Sequence, residues 1–201
     1  MNQSKPQIVF IHGGDSFDNN EEFYDFLRNL PFDPYEPEKK RWRDELKEMT
    51  AESHEFIFLQ MPNKLNAKYI AWSIWFEKLL PFIRDGAVLI GHSLGGSFLL
   101  RYLSEHALPV SIRHLHLVAP AIDDLDCPGL GQFSTDLKTW SGFKSDIKEL
   151  HLWHSEDDAI VPIHHSERFL EVCPSATFHR FTDRFHFIGD SFPELLAEIN
   201  K

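Results

Sequence analysis

The segment GHSLGG at positions 91–96 limits the folds open to this chain more than any other stretch. It follows the apolar, β-branched run Ala87–Gly91 and leads without a break into the helical pattern Leu94–His106. A strand that turns into a helix so abruptly needs glycine, because only glycine lets strand and helix approach that closely. The segment therefore predicts a buried strand, a sharp turn that carries Ser93, and a helix.

Short apolar runs and helical patterns alternate along the whole chain. Six runs have the composition of strands buried on both faces of a parallel sheet: Gln7–His12, Glu55–Met61, Ala87–Gly91, His114–Ala119, Glu149–His154 and Ala176–Thr182. Helical patterns occupy four further segments: Asn66–Phe82, Leu94–His106, Pro162–Val172 and Phe192–Ile199. This alternation predicts an α/β fold, with helices on both faces of a compact parallel sheet of about six strands.

Two segments fit the alternation less well. Glu21–Thr50 predicts two helices separated by a loop at Pro31–Pro37, and the mixed charges of Glu36–Glu48 indicate a solvated helix face rather than a binding patch. Ala121–Gly142 is a loop-rich insertion for which the pattern predicts no helix or strand. Since residues 121–148 are all that separate the fourth and fifth predicted strands, we expect no large cap domain.

The length and the net charge of the chain limit the classes of protein to which it can belong. The 201 residues predict a single domain over residues 1–201. A net charge of −11 argues against nucleic acid or an anionic membrane as the main partner, because both attract basic patches. No apolar run is long enough for a signal peptide or a membrane span, and Cys127 and Cys173 lie far apart. We therefore expect a cytoplasmic protein without a disulfide framework.

The Gly-x-Ser-x-Gly pattern around Ser93, placed between a strand and a helix, is typical of a nucleophile elbow. A serine hydroxyl attacks only when a base takes its proton, so a histidine and an orienting carboxylate should follow in later loops. The fifth predicted strand leads into Asp157 and Asp158, and the sixth is followed by His186. His179, inside the sixth strand, is the alternative base. The other interpretation is a glycine-rich turn whose serine has no chemical role.

With these motifs the sequence resembles the α/β-hydrolase superfamily, and within it the small serine hydrolases of the retinoblastoma-binding protein nine type. In the superfamily the acid is typically the Asp that is followed by two residues and then Val-Pro. This resemblance favours Asp158 over Asp157. The superfamily histidine typically stands in a Gly-His-Phe type loop before the last helix, which corresponds to His186, although Phe185 replaces the usual small residue.

The resemblance also implies an oxyanion hole of two backbone N–H groups. One belongs to Leu94, the residue after the nucleophile. The other belongs to the loop after the first strand, where His12-Gly13-Gly14-Asp15 is similar to the superfamily's His-Gly-x loop. This similarity implies Gly14 as the donor, with Asp15 as the alternative.

Taken together, the resemblance implies a carboxylesterase-like serine hydrolase. Such an enzyme would cleave small carboxylic esters or related acyl compounds through a Ser93–His186–Asp158 triad and an acyl-enzyme intermediate, without cofactor or metal. The alternatives are a thioesterase or acyltransferase with the same triad, or a non-catalytic protein-interaction module, since the family's name records a protein partner. Residues 121–158 carry nine acidic and three basic side chains, which predicts that anionic substrates are disfavoured.

Overall fold

A sheet of six parallel strands forms the centre of the computed structural model, which describes residues 4–37, 39–127 and 129–201. The strands are β1 (Gln7–Ile11), β2 (Glu55–Leu59), β3 (Ala87–His92), β4 (Ile112–Val118), β5 (Ile147–Ser155) and β6 (Thr177–Phe181). Their order in the sheet is β2-β1-β3-β4-β5-β6, and every neighbouring pair is parallel. The prediction of an open α/β fold with six parallel strands is confirmed.

The described residues form six α-helices, which connect or follow the strands: α1 (Asn20–Asn29), α2 (Trp42–Thr50), α3 (Tyr69–Glu77), α4 (Leu94–Glu105), α5 (His164–Val172) and α6 (Pro193–Ile199). The prediction of one helix over Asn66–Phe82 is wrong, because α3 ends at Glu77 and a separate 3-10 turn covers Leu80–Phe82. Pro81 explains the break, since proline has no N–H and its ring clashes with the preceding helical turn. The described part of Ala121–Gly142 contains one 3-10 turn, Gly131–Phe133.

Both faces of the sheet are covered by helices. On one face, α3, α4 and α5 contribute Trp72, Phe98 and Phe169, which are completely buried. On the other face, α2 and α6 contribute Trp42 and Leu195 to a second core. Helix α1 differs, because it has no buried residue and lies beside the carboxyl edge of the sheet. None of the described helices is long and apolar enough to cross a membrane.

Four histidines form a cluster on the α6 face of the sheet. His114 and His116 belong to β4, His151 to β5 and His179 to β6. The rings of His116 and His151 stack with centroids 4.7 Å apart, and those of His151 and His179 with centroids 5.4 Å apart. Trp153 stacks on His179 at 3.6 Å and donates its indole N–H to His116 Nδ1 at 3.2 Å. Among the described residues, no three potential ligands are arranged to hold a metal ion.

Burial lowers the pKa of all four histidines in this cluster, well below the usual value for His116 and to about 4 for His179. The acidic side chains that face the cluster, Glu149 and Glu198, act in the opposite direction, and Lys201 adds to the lowering for His151 and His179. The folded protein therefore keeps these rings neutral at pH values where an unfolded chain would protonate them.

We expect thermal stability to decrease as the pH falls from about 6.5 towards 4. In that window the unfolded state binds more protons than the folded state, so each lowered pKa removes stability that is fully present above pH 6.5. A shift of one pKa unit corresponds to about 1.4 kcal/mol, and several such groups should lower Tm by on the order of 10 °C between pH 7.5 and pH 5.

Differential scanning calorimetry across this range measures the effect. His179→Gln should flatten the dependence, whereas His106→Gln, at a half-exposed side chain outside the cluster, should not. A Tm that stays constant or rises on acidification would contradict the interpretation.

Candidate active site

Ser93 lies in a strained turn between β3 and α4. Its backbone has φ 54° and ψ −123°, a left-handed conformation that costs a non-glycine residue on the order of 1–3 kcal/mol. Its N–H donates to the carbonyl oxygen of Val118 at 2.8 Å, which ties the turn to β4. The Ser93 hydroxyl forms no hydrogen bond within the described residues and faces a cavity of about 270 Å³ at the carboxyl edge of the sheet.

The glycines of the turn allow three backbone segments to meet. A Cβ atom on Gly91 would lie 2.5 Å from the carbonyl oxygen of Gly95. A Cβ atom on Gly95 would overlap the carbonyl oxygen of Ile11 and lie 2.6 Å from that of His12. The end of β3, the start of α4 and the end of β1 thus pack backbone against backbone. The sequence predicted the close approach of the strand and the helix, but not the contact with β1.

His186 and Asp158 form a hydrogen-bonded pair beside this turn. His186 Nδ1 lies 2.7 Å from Asp158 Oδ2, and the Asp158 side chain is completely buried. Asp158 Oδ1 accepts hydrogen bonds from the backbone N–H groups of Ile160 and Val161, both at 2.9 Å. Burial alone would raise the pKa of the Asp158 carboxyl, but the hydrogen bonds from His186 and the two amides outweigh it and lower the pKa. The carboxylate is therefore charged at neutral pH.

Asp157, the sequence alternative to Asp158, points elsewhere. Its Oδ1 accepts hydrogen bonds from the Ser155 hydroxyl at 2.5 Å and from the Phe185 N–H at 2.9 Å. Phe185 has φ 48°, a conformation that favours glycine, which accounts for the small residue that the superfamily usually has here. Asp157 thus holds the loop that carries His186 and makes no hydrogen bond to the imidazole.

Three further side chains hold the same loop by its carbonyl groups, and none was singled out from the sequence. His92 Nε2 donates to the His186 carbonyl oxygen at 2.9 Å, and burial lowers the pKa of His92 to about 3, so the ring is neutral. Trp42 donates its indole N–H to the Phe187 carbonyl oxygen at 2.9 Å. Arg41 donates to the Ile188 carbonyl oxygen at 2.8 Å. Only the strand–helix packing of the folded chain brings α2 to this loop.

His154, near the end of β5, was also missed. Its Nε2 lies 2.8 Å from the Val161 carbonyl oxygen and 3.6 Å from Asp158 Oδ2, and its Nδ1 lies 2.6 Å from the Ser166 hydroxyl. The ring is completely buried, and burial lowers its pKa. His179, the alternative base, lies within the histidine cluster of the α6 face, against Trp153 and His151.

The two predicted oxyanion donors have N–H groups without an acceptor in the part of the chain that the structure describes. The amides of Leu94 and Gly14 donate to no acceptor among the described residues, whereas the Asp15 N–H donates to the Lys64 carbonyl oxygen at 2.8 Å. A Cβ atom on Gly13 would lie 3.0 Å from Ser93 Cβ, so this loop lies against the serine. Asp15, the alternative donor, is thus already engaged, while Gly14 and Leu94 line the Ser93 cavity.

The walls of the Ser93 cavity combine polar groups with apolar side chains. Phe26 of α1 contributes to them together with Cys127 and Ile160. Its charged lining residues are the carboxylates Asp15 and Asp126, and no lysine or arginine stands among the described lining residues. This charge distribution agrees with the acidic border that the sequence predicted.

Comparisons with known proteins identify the fold. No family model matches the chain. The serine hydrolase RBBP9 of Rattus norvegicus is 27% identical over 142 residues, which cover 69% of this chain and 73% of that protein. The ydeN gene product of B. subtilis has a TM-score of 0.75 at 20% identity, over 98% of this chain and 97% of that one. Alpha/beta hydrolase domain-containing protein 10 from mouse has a TM-score of 0.61 at 15% identity, over 100% of this chain and 90% of that one. The chain has the α/β-hydrolase fold and resembles RBBP9, as the sequence predicted.

Proposed function

From this fold and the groups around Ser93, we propose that the chain is a serine hydrolase that cleaves small carboxylic esters or related acyl compounds. The observation that carries the proposal is the hydrogen bond between His186 Nδ1 and the buried Asp158 carboxylate, beside a serine in a strained strand–helix turn. The name of the relative RBBP9, serine hydrolase, supports the same reaction class.

In the proposed reaction, Ser93 Oγ attacks the carbonyl carbon while His186 Nε2 takes its proton. Asp158 keeps the second proton of the imidazole on Nδ1 and stabilises the imidazolium that forms. The free N–H groups of Leu94 and Gly14 stabilise the oxyanion of the tetrahedral intermediate. The bond from carbon to the leaving oxygen then breaks, and His186 delivers its proton to that oxygen. A water molecule, deprotonated by His186, then attacks the acyl carbon. The bond from that carbon to Ser93 Oγ breaks, and His186 returns the proton to Oγ as the acid leaves. The reaction needs no cofactor.

A fluorophosphonate probe tests the proposal, because it reacts only with an activated serine. We expect one adduct per chain, and peptide mapping by mass spectrometry should locate it on Ser93. Ser93→Ala should remove the label, whereas Ser16→Ala, which alters another serine of the same cavity, should keep it.

An unlabelled wild-type protein, or a label that survives Ser93→Ala, would overturn the proposal. The absence of any label together with binding of a protein would favour the interaction module. When labelling occurs, p-nitrophenyl esters of increasing acyl length, compared with matched thioesters, then define the acyl group and the bond that is cleaved.

A further inference from the structure

A second cavity lies next to the Ser93 cavity and has the opposite charge. Its volume is about 470 Å³, and its charged lining residues are Arg41, Arg43 and Lys64, with no carboxylate among the described lining residues. In a chain with 31 acidic and 20 basic side chains, such a concentration of cations needs an explanation. The volume is within the range of small-molecule sites.

The cations of this cavity are poorly neutralised by the protein. Among the described residues Arg43 has one ion pair, a 3.4 Å contact from Nε to Asp44, and its guanidinium carbon lies 4.9 Å from the centre of the Phe58 ring. Arg41 and Lys64 form no ion pair with a described carboxylate, and Arg41 instead donates to the Ile188 carbonyl oxygen. Unpaired cations around a concave surface attract anions.

His12 does not add to the positive charge. Its Nε2 accepts the Met61 N–H at 2.9 Å, and its Nδ1 lies 2.5 Å from the Gly13 carbonyl oxygen, so the ring carries a single proton on Nδ1. Burial lowers the pKa of His12, and the charges of Lys64 and Arg43 lower it further. The field that acts on this buried ring thus comes from the same cations.

The two cavities are adjacent through the loop after β1. His12 and Gly13 line the cationic cavity, and the next two residues, Gly14 and Asp15, line the cavity of Ser93. A Cβ atom on Gly13, which lines the cationic cavity, would lie 3.0 Å from Ser93 Cβ. His92, the residue before Ser93, also lines the cationic cavity. The cationic cavity thus borders both the loop after β1 and the turn that carries Ser93.

We propose that the cationic cavity binds an anionic group, a carboxylate or a phosphate, that the substrate itself carries. The inference rests on the proposed function and narrows it to esters with a negative charge on one side of the scissile bond. The part of the ester on the other side of the scissile bond then lies in the cavity of Asp15 and Asp126, where a second negative charge is disfavoured. The sequence-based expectation that anionic substrates are disfavoured as a class therefore applies to one side of the bond only.

Two pairs of esters of matched size test this inference. In the first pair the acyl group carries the charge: mono-p-nitrophenyl glutarate against p-nitrophenyl valerate. In the second the leaving group carries it: 4-carboxyphenyl acetate against 4-carbamoylphenyl acetate. We expect kcat/KM to be higher for the anionic member of one pair, by about tenfold at low ionic strength, because two or three exposed charges each contribute a few-fold.

Charge-removing variants show whether the cavity causes the preference. Lys64→Gln and Arg43→Gln should each lower the ratio of anionic to neutral kcat/KM about threefold. The exposed Lys47→Gln on α2, which removes the same charge outside the cavity, should keep the ratio. Because Arg43 packs on Phe58, a thermal melt must establish that the Arg43→Gln protein is still folded. Lys64→Gln changes an exposed side chain, so we expect it to leave the fold unchanged.

Inorganic phosphate distinguishes an anion on the substrate from a free ion. We expect competitive inhibition of the anionic ester that weakens in Lys64→Gln. Phosphate binding without any preference for an anionic ester would overturn the inference, as would a preference that survives both variants. Turnover of the neutral esters alone would overturn the anionic-group inference and leave the proposed hydrolase activity intact. If no ester were turned over and no fluorophosphonate label formed, both the hydrolase activity and the anionic-group inference would be overturned.

Discussion

Asp158→Asn is expected to lower kcat about 10⁴-fold, the size of the loss when the acid of a serine triad becomes an amide. The hydrogen bonds around Asp158 explain why. Oδ1 accepts from the Ile160 and Val161 amides, so the oxygen of an asparagine would stay there and its NH₂ group would face His186. Nδ1 would then have to accept a hydrogen bond, the ring proton would move to Nε2, and Nε2 could no longer take the proton of Ser93.

Asp157→Asn is the matched control, since it makes the same chemical change one residue earlier. Its oxygen can still accept from the Phe185 N–H, so we expect a loss of no more than about tenfold. Steady-state turnover of p-nitrophenyl acetate measures both variants, and circular dichroism establishes that both are folded. If the two losses were reversed, Asp157 would be the acid of the triad.

Gly95→Ala is expected to cost more than about 3 kcal/mol of unfolding free energy, or to prevent folding. The added Cβ would overlap two carbonyl oxygens at the end of β1, those of Ile11 and His12, and backbone atoms of a central strand cannot rotate away. The intrinsic preference of alanine for a helix works in the opposite direction, by about 1 kcal/mol, and is too small to compensate.

Gly189→Ala provides the comparison, because a Cβ added there has no heavy atom within 4 Å from any described residue beyond its two chain neighbours. We expect its unfolding free energy to stay within about 0.5 kcal/mol of the wild type. Urea unfolding followed by tryptophan fluorescence measures both variants. A Gly95→Ala protein as stable as Gly189→Ala would mean that β1 and α4 are farther apart than described.

The sequence predicted the centre of the sheet well because β1 and β3 are buried on both faces and read as continuous apolar runs. It also predicts that Ser93, Asp158 and His186 meet at one edge, since the loops after parallel strands lie there. Helix α3 was predicted too long, because its apolar residues continue past Glu77 into a turn that Pro81 keeps from becoming α-helical.

The surroundings of the site depend on contacts between distant segments, which periodicity does not report. The charges of Glu36–Glu48 were interpreted as a solvated helix face. That interpretation suits Lys47 and Glu48, which are exposed, but Arg41 and Arg43 border a cavity. Lys64, the third cation of that cavity, belongs to the segment after β2, whereas Arg41 and Arg43 precede β2. Only the neighbouring positions of β1 and β2 in the sheet bring these two segments together.

The way the His186 loop is held has a consequence for how such a protein can diverge. His92, Trp42 and Arg41 hold the loop through carbonyl groups, which every amino acid possesses. Phe185 and Ile188 carry side chains that are 58% and 52% exposed. Mutation can therefore rewrite much of the outer surface of this loop while the imidazole keeps its position. Selection for new substrates can therefore change the exposed side chains at the rim of the site without displacing His186.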